Sequence, residues 1–381
     1  NPFLAGGATN VKSISGGLAN VPAGGADVVI THNTTAAIGA SAVVRLTKPV
    51  TGPSSFKQEA YNDITSKQKV NLDSGGAIAL ANAEIDAVIT ANATASVGGA
   101  ATVEVAYGDI QIAAWGEGDF DMRSSATTYG LAGAPSGDAN ITYTGKNAVD
   151  LGNDALVQAT DGESPTNGDM PRYATVYIGA GKGPQGENAG LTFNATVDIF
   201  NKTVIPIPTG PNPTVIVANS GLVTVGSTSS TKMTLLPQGV RAAGDIKIES
   251  SKGNISAKAV GTGKDIYREA LAKVASAFSN AFGGGDVTFD YKGGSTSIDG
   301  GQSRVDINGR VETSIQSLKT LTIDETCEPT VLSCIANNAG NIVFSISGPN
   351  PVGTEVLVRV AELKQLILDY ATDLIAKAAY Q

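Results

Sequence analysis

The stretch Asp27–Leu46, DVVITHNTTAAIGASAVVRL, occurs in this chain a second time as Asp86–Val105, DAVITANATASVGGAATVEV. An ungapped alignment of the two gives ten identities in twenty positions at a constant offset of 59 residues. Chance would give about one or two identities, so the chain contains an internal repeat. Self-similarity of this kind predicts an architecture in which one copy stacks on the next.

Two further phrases recur more loosely. Residues 214–226, TVIVANSGLVTVG, keep the V-I-x-A-N core of the repeat but need one inserted residue before the glycine. The phrase GDIQI at Gly108 returns as GDIKI at Gly244, and the sequences that follow align with a one-residue slip. In both phrases isoleucines alternate with polar residues, and this period of two is typical of half-buried β-strands.

The composition favours a narrow, stacked β-structure. The 381 residues include 46 glycines, and only 5% are aromatic. The formal net charge of −9 argues against a nucleic-acid partner, because phosphates would be repelled. No run of about twenty apolar residues is present, so we predict no membrane span. The absence of a leader before Asn1 and an end inside a helical pattern suggest a piece of a longer polypeptide, with mature processing as the alternative.

We predict a mainly β fold, an elongated β-solenoid or stacked β-repeat array, with tandem β-sandwich domains as the alternative. The predicted segments are a β-repeat region at 1–262, an amphipathic helix at 263–284, a β-strand region at 285–350 and a C-terminal helical segment at 351–381. The first helix has its apolar face over 265–282 and ends at three glycines. The second has apolar residues at helical spacing from Val356 onward.

The last third of the chain resembles giant secreted bacterial repeat proteins of the filamentous-haemagglutinin and adhesin type. The resemblance rests on the run GDIKIESSKGNISAKAVGTGKDIYREALAKVASAFSNAFGGGDVTFDYKGG from Gly244 and on LILDYATDLIAKAAY in the tail. It implies a surface-exposed, elongated β-rich segment of solenoid type, and its phrases contain no active-site signature.

The two cysteines, Cys327 and Cys334, are separated by six residues in TCEPTVLSCIA. We predict that they form a disulfide that closes a small loop. Two thiols are too few for a metal site, and the only histidine, His32, is distant in sequence. Two free buried thiols are the alternative.

No catalytic constellation emerges from the sequence, and we predict that the protein is not an enzyme. The counterpart of His32 in the second copy is Ala91, so the repeat tolerates a methyl group at this position. The glycine clusters lack the Lys-Ser/Thr pair that a phosphate-binding loop requires.

The strongest acidic motif is WGEGDFD, in which Glu117, Asp119 and Asp121 follow the only tryptophan, Trp115. On a strand these carboxylates share one face at a spacing of about 6.5 to 7 Å, which could suit a calcium ion or the carboxylate pair of a glycosidase. The corresponding segment of the other copy reads SKGNIS, which favours a merely solvated face. We therefore predict no cofactor, with calcium as the weak candidate.

Six asparagines head N-x-S/T sequons and are candidate glycosylation sites: Asn33, Asn92, Asn140, Asn194, Asn201 and Asn254. A chain this rich in serine and threonine would contain about four by chance, so the number alone is weak evidence.

These features predict an extracellular structural or adhesive segment at the cell surface that self-associates or presents a scaffold. The expected partners are copies of itself, further segments of the same giant chain, and cell-surface glycans. The residues expected to mediate assembly are Val360, Leu363, Ile367 and Tyr370.

Two alternatives remain open. One is a filament or surface-layer subunit assembled by strand exchange, which depends on whether the segment beginning at Asn1 pairs with its own chain or with the next. The other is a β-helix that binds or cleaves carbohydrate through the region of Trp115 and Asp119.

Overall fold

The computed structural model describes residues 4–47, 53–160, 174–185, 190–207, 209–226, 239–242, 244–265, 291–307, 310–315, 321–325, 341–346 and 354–359. This part of the chain is mainly β, as predicted, and it contains no helix.

Twenty strands follow one another along the described ranges. They are β1 (Leu4–Asn20), β2 (Ala23–Ile38), β3 (Val43–Leu46), β4 (Ser54–Val97), β5 (Thr102–Ala106), β6 (Gly108–Leu151), β7 (Leu156–Thr160), β8 (Val176–Ala180), β9 (Gly190–Pro206), β10 (Pro211–Val225), β11 (Gly239–Ala242), β12 (Ile246–Ser250), β13 (Asn254–Asp265), β14 (Tyr291–Gly293), β15 (Ser295–Gly300), β16 (Ser303–Ile307), β17 (Arg310–Ile315), β18 (Leu321–Glu325), β19 (Asn341–Ile346) and β20 (Thr354–Arg359).

These strands form two sheets in which almost every pairing is parallel. Seven short strands make the smaller sheet, in the order β20-β19-β17-β11-β7-β5-β3, and the other thirteen make the larger one. Within the described residues only β13–β14 and β19–β20 are antiparallel.

The register of the sheets follows the sequence repeat. Asp27 lies opposite Asp86 and Val43 opposite Thr102, so the first copy stacks on the second at the offset of 59 that the sequences share. Thr102 in turn lies opposite Leu156, because β4 and β5 stack on β6 and β7 at an offset of 54. We call the stacked segments layers: the first is 4–46, the second 54–106 and the third 108–160. A fourth layer, made of β8–β11, stacks on the third.

Each long strand bends back on itself. Phe120 and Tyr143 both belong to β6, and their ring centroids are 5.7 Å apart, whereas a straight strand would separate them by roughly 75 Å. The bend lies at Gly130, whose φ of 131° is disfavoured for other residues. A Cβ at this position would also collide with the carbonyl oxygen of Gly76 in the layer below.

The core runs through the stack inside these bends. Along β4 and β6 inward residues are buried and alternate with more exposed outward ones, as period-two patterning predicts. One apolar cluster lies between the two arms of each long strand and includes Ile64, Ile89 and Phe193. A second apolar cluster, including Val103 and Ile110, lies between the smaller sheet and the parts of the larger sheet that face it.

The looser sequence copies also stack, with one difference in phase. Ile110 and Ile246, from the two GDI phrases, lie two layers apart in one column, with Val176 between them. In the third repeat copy, Val215 lies above Ile141 and Ala87, one residue away from the predicted match with Val88. A one-residue shift exchanges the faces of a strand, so Val215 is fully buried.

The predicted starts of both helices are wrong. Residues 254–265 form β13, which pairs in register with β9, so Asp265 ends a strand and does not begin a helix. Residues 354–359 form β20, which pairs with β19. In TEVLVR the β-branched residues Thr354, Val356 and Val358 recur at every second position, and the pairing with β19 overrides the helical spacing. The remainder of both predicted helices lies outside the described residues.

Candidate functional site

The most distinctive surface of the molecule is the free edge of the first layer. Its strands β1, β2 and β3 pair with β4 and β5 on one side, and no described strand pairs with them on the other. The segment near Asn1 therefore pairs with its own chain, since Leu4–Ile14 lies opposite Asp63–Asp73. A free parallel edge is a template for another strand.

The direction of the backbone groups shows which residues form this edge. In β2 the carbonyls adjoining each end, those of Pro22 and Ile38, accept hydrogen bonds from Asn82 and Gly98 of the second layer. Because backbone groups point to alternate sides along a strand, even-numbered residues of β2 face the second layer. Odd-numbered residues, such as Thr31, present their N–H and C=O groups to the open side.

The inward side chains of the first layer are incompletely covered. Ile30 and Ile38 are only partly buried, although they pack against the two apolar clusters. Their counterparts one layer up, Ile89 and Val97, are each 1% exposed. A further layer on the open side would cover the first layer as the third covers the second.

Few charges protect the edge. Lys12, Asp27 and Arg45 are the only Lys, Arg, Asp or Glu residues of layer 4–46, and Arg45 is already paired with Glu104 at 2.7 Å. Natural edge strands commonly carry lysines, prolines or bulges that prevent pairing. This edge is therefore suited to association.

His32 has a structural position in this layer. It lies opposite Ala91 in register, as the alignment predicts, and its Nδ1 is 2.9 Å from the Oδ1 of Asn62. The Thr34 hydroxyl donates to the same Asn62 oxygen.

The predicted acidic motif lies on one outward face, but its carboxylates have different partners. Tyr61 Oη donates to Glu117 at 3.2 Å, Lys67 pairs with Asp119 at 3.0 Å, and Arg123 pairs with Asp121 at 2.8 Å. Among the described residues no group of three or more His, Cys, Asp or Glu side chains is arranged to hold a metal ion.

A second acidic cluster was not predicted from the sequence. Asp27 lies opposite Asp86, and Glu84 lies opposite Asp138. Repulsion from Asp86, with smaller contributions from desolvation and the other carboxylates, raises the pKa of Glu84. The identity of Asp27 with Asp86 in the repeat was the signal that could have revealed the stacked pair.

A buried ionic group lies between the fourth layer and β12, the strand that pairs with β8 on the side away from the third layer. The Glu249 side chain is 0% exposed and pairs with Lys182 at 3.1 Å and with Lys247 at 2.9 Å. Burial alone would raise the pKa of Glu249, but hydrogen bonds from Lys247, Tyr177 and Lys182 lower it below its ordinary value. Sequence reasoning missed this group because Lys182 and Glu249 are distant along the chain.

The sequons differ in accessibility. Asn254 is exposed, and Asn92 Nδ2 donates to Asn33 Oδ1 at 2.8 Å across the first two layers. Asn140 donates to Asp86, and Asn194 is half-buried.

Asn201 is the exception, since it is only 5% exposed. Its carboxamide donates to Gly133 O and accepts from Thr203. A glycan on Asn201 would have to break these contacts.

Several predicted sites lie outside the described residues: Cys327, Cys334, Val360, Leu363, Ile367 and Tyr370. Their predicted disulfide and assembly roles stay predictions.

Comparison with protein-family models, curated proteins and solved structures found no match for this chain. In the described part of the chain, no helix is long and apolar enough to cross a membrane.

Proposed function

We propose that this chain is a structural segment of a β-solenoid outside the cell, which builds length by stacking layers and associates with further β-layers through its free edge. It acts as a scaffold and not as an enzyme. The observation that carries the proposal is the asymmetry of the first layer, whose strands β1, β2 and β3 are paired on one side only among the residues that the structure describes.

The solenoid interpretation is supported by the way the chain returns to the same place in successive layers. Gly98, Gly152 and Gly226 form a column, since each donates its N–H to the residue before the turn in the layer below: Ile38, Val97 and Leu151. Glycine thus recurs at one turn through successive layers, as expected when a repeated unit coils around a common axis.

The extracellular location is supported by the resemblance of the last third to secreted adhesin-type repeat proteins. Adhesion is consistent with the long outward faces that the stack presents to its surroundings. The edge adds a means of joining copies. Another strand layer would form hydrogen bonds with its open backbone groups and would cover its partly buried apolar residues.

The test is a proline at the edge. Thr31→Pro removes an N–H that points to the open side and leaves the even-numbered pairing residues of β2 in place. We expect the unmodified chain to associate as its concentration rises, in sedimentation velocity experiments, and Thr31→Pro to associate at least about tenfold more weakly.

Thr31→Ala is the matched control, because it removes the side chain and keeps the N–H. It should associate like the unmodified chain, and circular dichroism should show the same β content in all three proteins. A chain that stays monomeric at every concentration, or a proline variant that associates equally well, would contradict self-association through this edge.

A further inference from the structure

Tyr61 and Trp115 form an aromatic pair on the outer surface of the stack. Tyr61 of β4 lies opposite Trp115 of β6 in register, and their ring centroids are 4.3 Å apart at an interplanar angle of 41°. Both side chains are partly exposed and sit on the outward face, between buried neighbours in their strands. We call the two rings the aromatic platform.

In the fourth layer the position opposite Trp115 carries no side chain. Ala114 lies opposite Ala180, and the next residue is Gly181, whose N–H donates to Ala114 O. Glycine therefore follows Trp115 in the column, with no side chain to lie over the indole. The next side chain, Lys182, is turned to the buried Glu249 and is 14% exposed.

Carboxylates border the platform on the same outward face. Glu117 lies two residues beyond Trp115 and accepts the hydrogen bond from Tyr61 Oη, and Asp63 lies opposite Glu117 in register. Desolvation, together with these two carboxylates, raises the pKa of Tyr61, so its hydroxyl remains a donor throughout the physiological range. The indole Nε1 of Trp115 is buried and has no acceptor within the described part of the chain.

We propose that the aromatic platform, with Glu117 and Asp63, binds a neutral oligosaccharide. The aromatic rings provide apolar surface on which the C–H face of a sugar ring can stack. The carboxylates of Glu117 and Asp63 can accept hydrogen bonds from sugar hydroxyls. The local carboxylates and the net charge of −9 repel sulfated or carboxylated glycans, so the ligand is an uncharged one.

The experiment uses Trp115 as its own reporter, since it is the only tryptophan of the chain. Tryptophan fluorescence of the full chain is titrated with maltoheptaose, cellohexaose and chitohexaose as neutral probes and with heparin as an anionic one. We expect a saturable change with at least one neutral probe and none with heparin.

Three variants distinguish a platform from a general effect on the fold. Tyr61→Ala should weaken binding about tenfold or more, whereas Tyr61→Phe, which keeps the ring, should retain most of it. Tyr129→Ala is the matched control, because Tyr129 is an exposed tyrosine at the bend of β6 and lies away from the platform.

The proposal is overturned if no neutral probe changes the fluorescence, if heparin binds in preference, or if Tyr61→Ala and Tyr129→Ala bind alike. Thermal melting followed by circular dichroism shows whether Tyr61→Ala stays folded. If it does not, Tyr61→Phe and Glu117→Gln decide the question: retained binding in the first and weakened binding in the second support the site, and no difference between them contradicts it. The result does not depend on association through the free edge.

Discussion

Residues 27–46 and 86–105 share half of their sequence and the same fold, yet only the second segment has its inward isoleucine and valine side chains fully buried. Ile89 is 1% exposed, and its counterpart Ile30 is only partly buried. The second segment has a layer on either side, while the first has one neighbour in the described structure. Burial in this molecule therefore comes from stacking, and a sequence unit acquires its stability from the layers next to it.

The largest difference in stability loss is expected between a variant that breaks a buried ion pair and a variant that breaks an exposed one. Glu249→Gln leaves Lys182 without its buried partner and should lower the free energy of unfolding by about 3–5 kcal/mol. Glu104→Gln, in contrast, breaks the pair with Arg45, which is 61% exposed in the first layer, and should cost about 1 kcal/mol or less. Urea denaturation of both variants measures this contrast.

The buried pair also predicts a dependence on pH. Because the pKa of Glu249 is lowered in the folded chain, its stabilising contribution is complete above the unfolded pKa and is lost as the pH falls through the folded one. The difference in free energy of unfolding between Glu249→Gln and the unmodified chain should thus become smaller in acid. A difference that becomes larger in acid would contradict the assigned direction.

An intermediate difference in stability loss is expected when two isoleucines at equivalent repeat positions are truncated to alanine. Ile89→Ala should cost about 2–5 kcal/mol, because it opens a cavity between two layers. Ile30→Ala should cost less than half as much, since its site is already partly open to solvent. Equal losses in chemical denaturation would show that the first layer is as enclosed as the second.

The smallest difference in stability loss is expected between alanine substitutions of two glycines at equivalent repeat positions. A Cβ on Gly98 would lie 2.5 Å from the backbone nitrogen of Ala40, whereas a Cβ on Gly39 would meet nothing within 4 Å. Gly98→Ala should therefore lower stability by about 1–3 kcal/mol, and Gly39→Ala should change it by less than about 0.5 kcal/mol. Melting temperatures of the two variants make the comparison, and a similar loss in both would indicate that something covers the first layer at Gly39.

Sequence alone predicted the features that depend on repetition. The offset of 59 gave the register between Asp27 and Asp86, and alternation gave the inward and outward faces. The bend at Gly130 was not predictable from the sequence, because nothing in the sequence distinguishes this glycine from the many others in the chain. Its role becomes apparent only when the layers are stacked. The Glu249 ion group and the Tyr61–Trp115 pair were missed for the same reason, since their members meet only through stacking.

The errors of the sequence analysis arose where local periodicity competed with pairing. Thr354–Arg359 fits both a helical stripe and a strand, and antiparallel pairing with β19 determines the result. Val215 aligns with Val88 by residue identity, but in the structure it lies one residue out of phase with Val88. Only the register of β10 on β6 reveals this shift.

The most direct test of the account is hydrogen–deuterium exchange of residues 27–46 and 86–105, measured over a range of protein concentrations. We expect 86–105 to be protected at every concentration. In dilute solution the odd-numbered amides of β2 should exchange rapidly, and they should become protected as the chain associates. Equal protection of the two segments in dilute solution would contradict the free edge, and with it the claim that stacking determines burial.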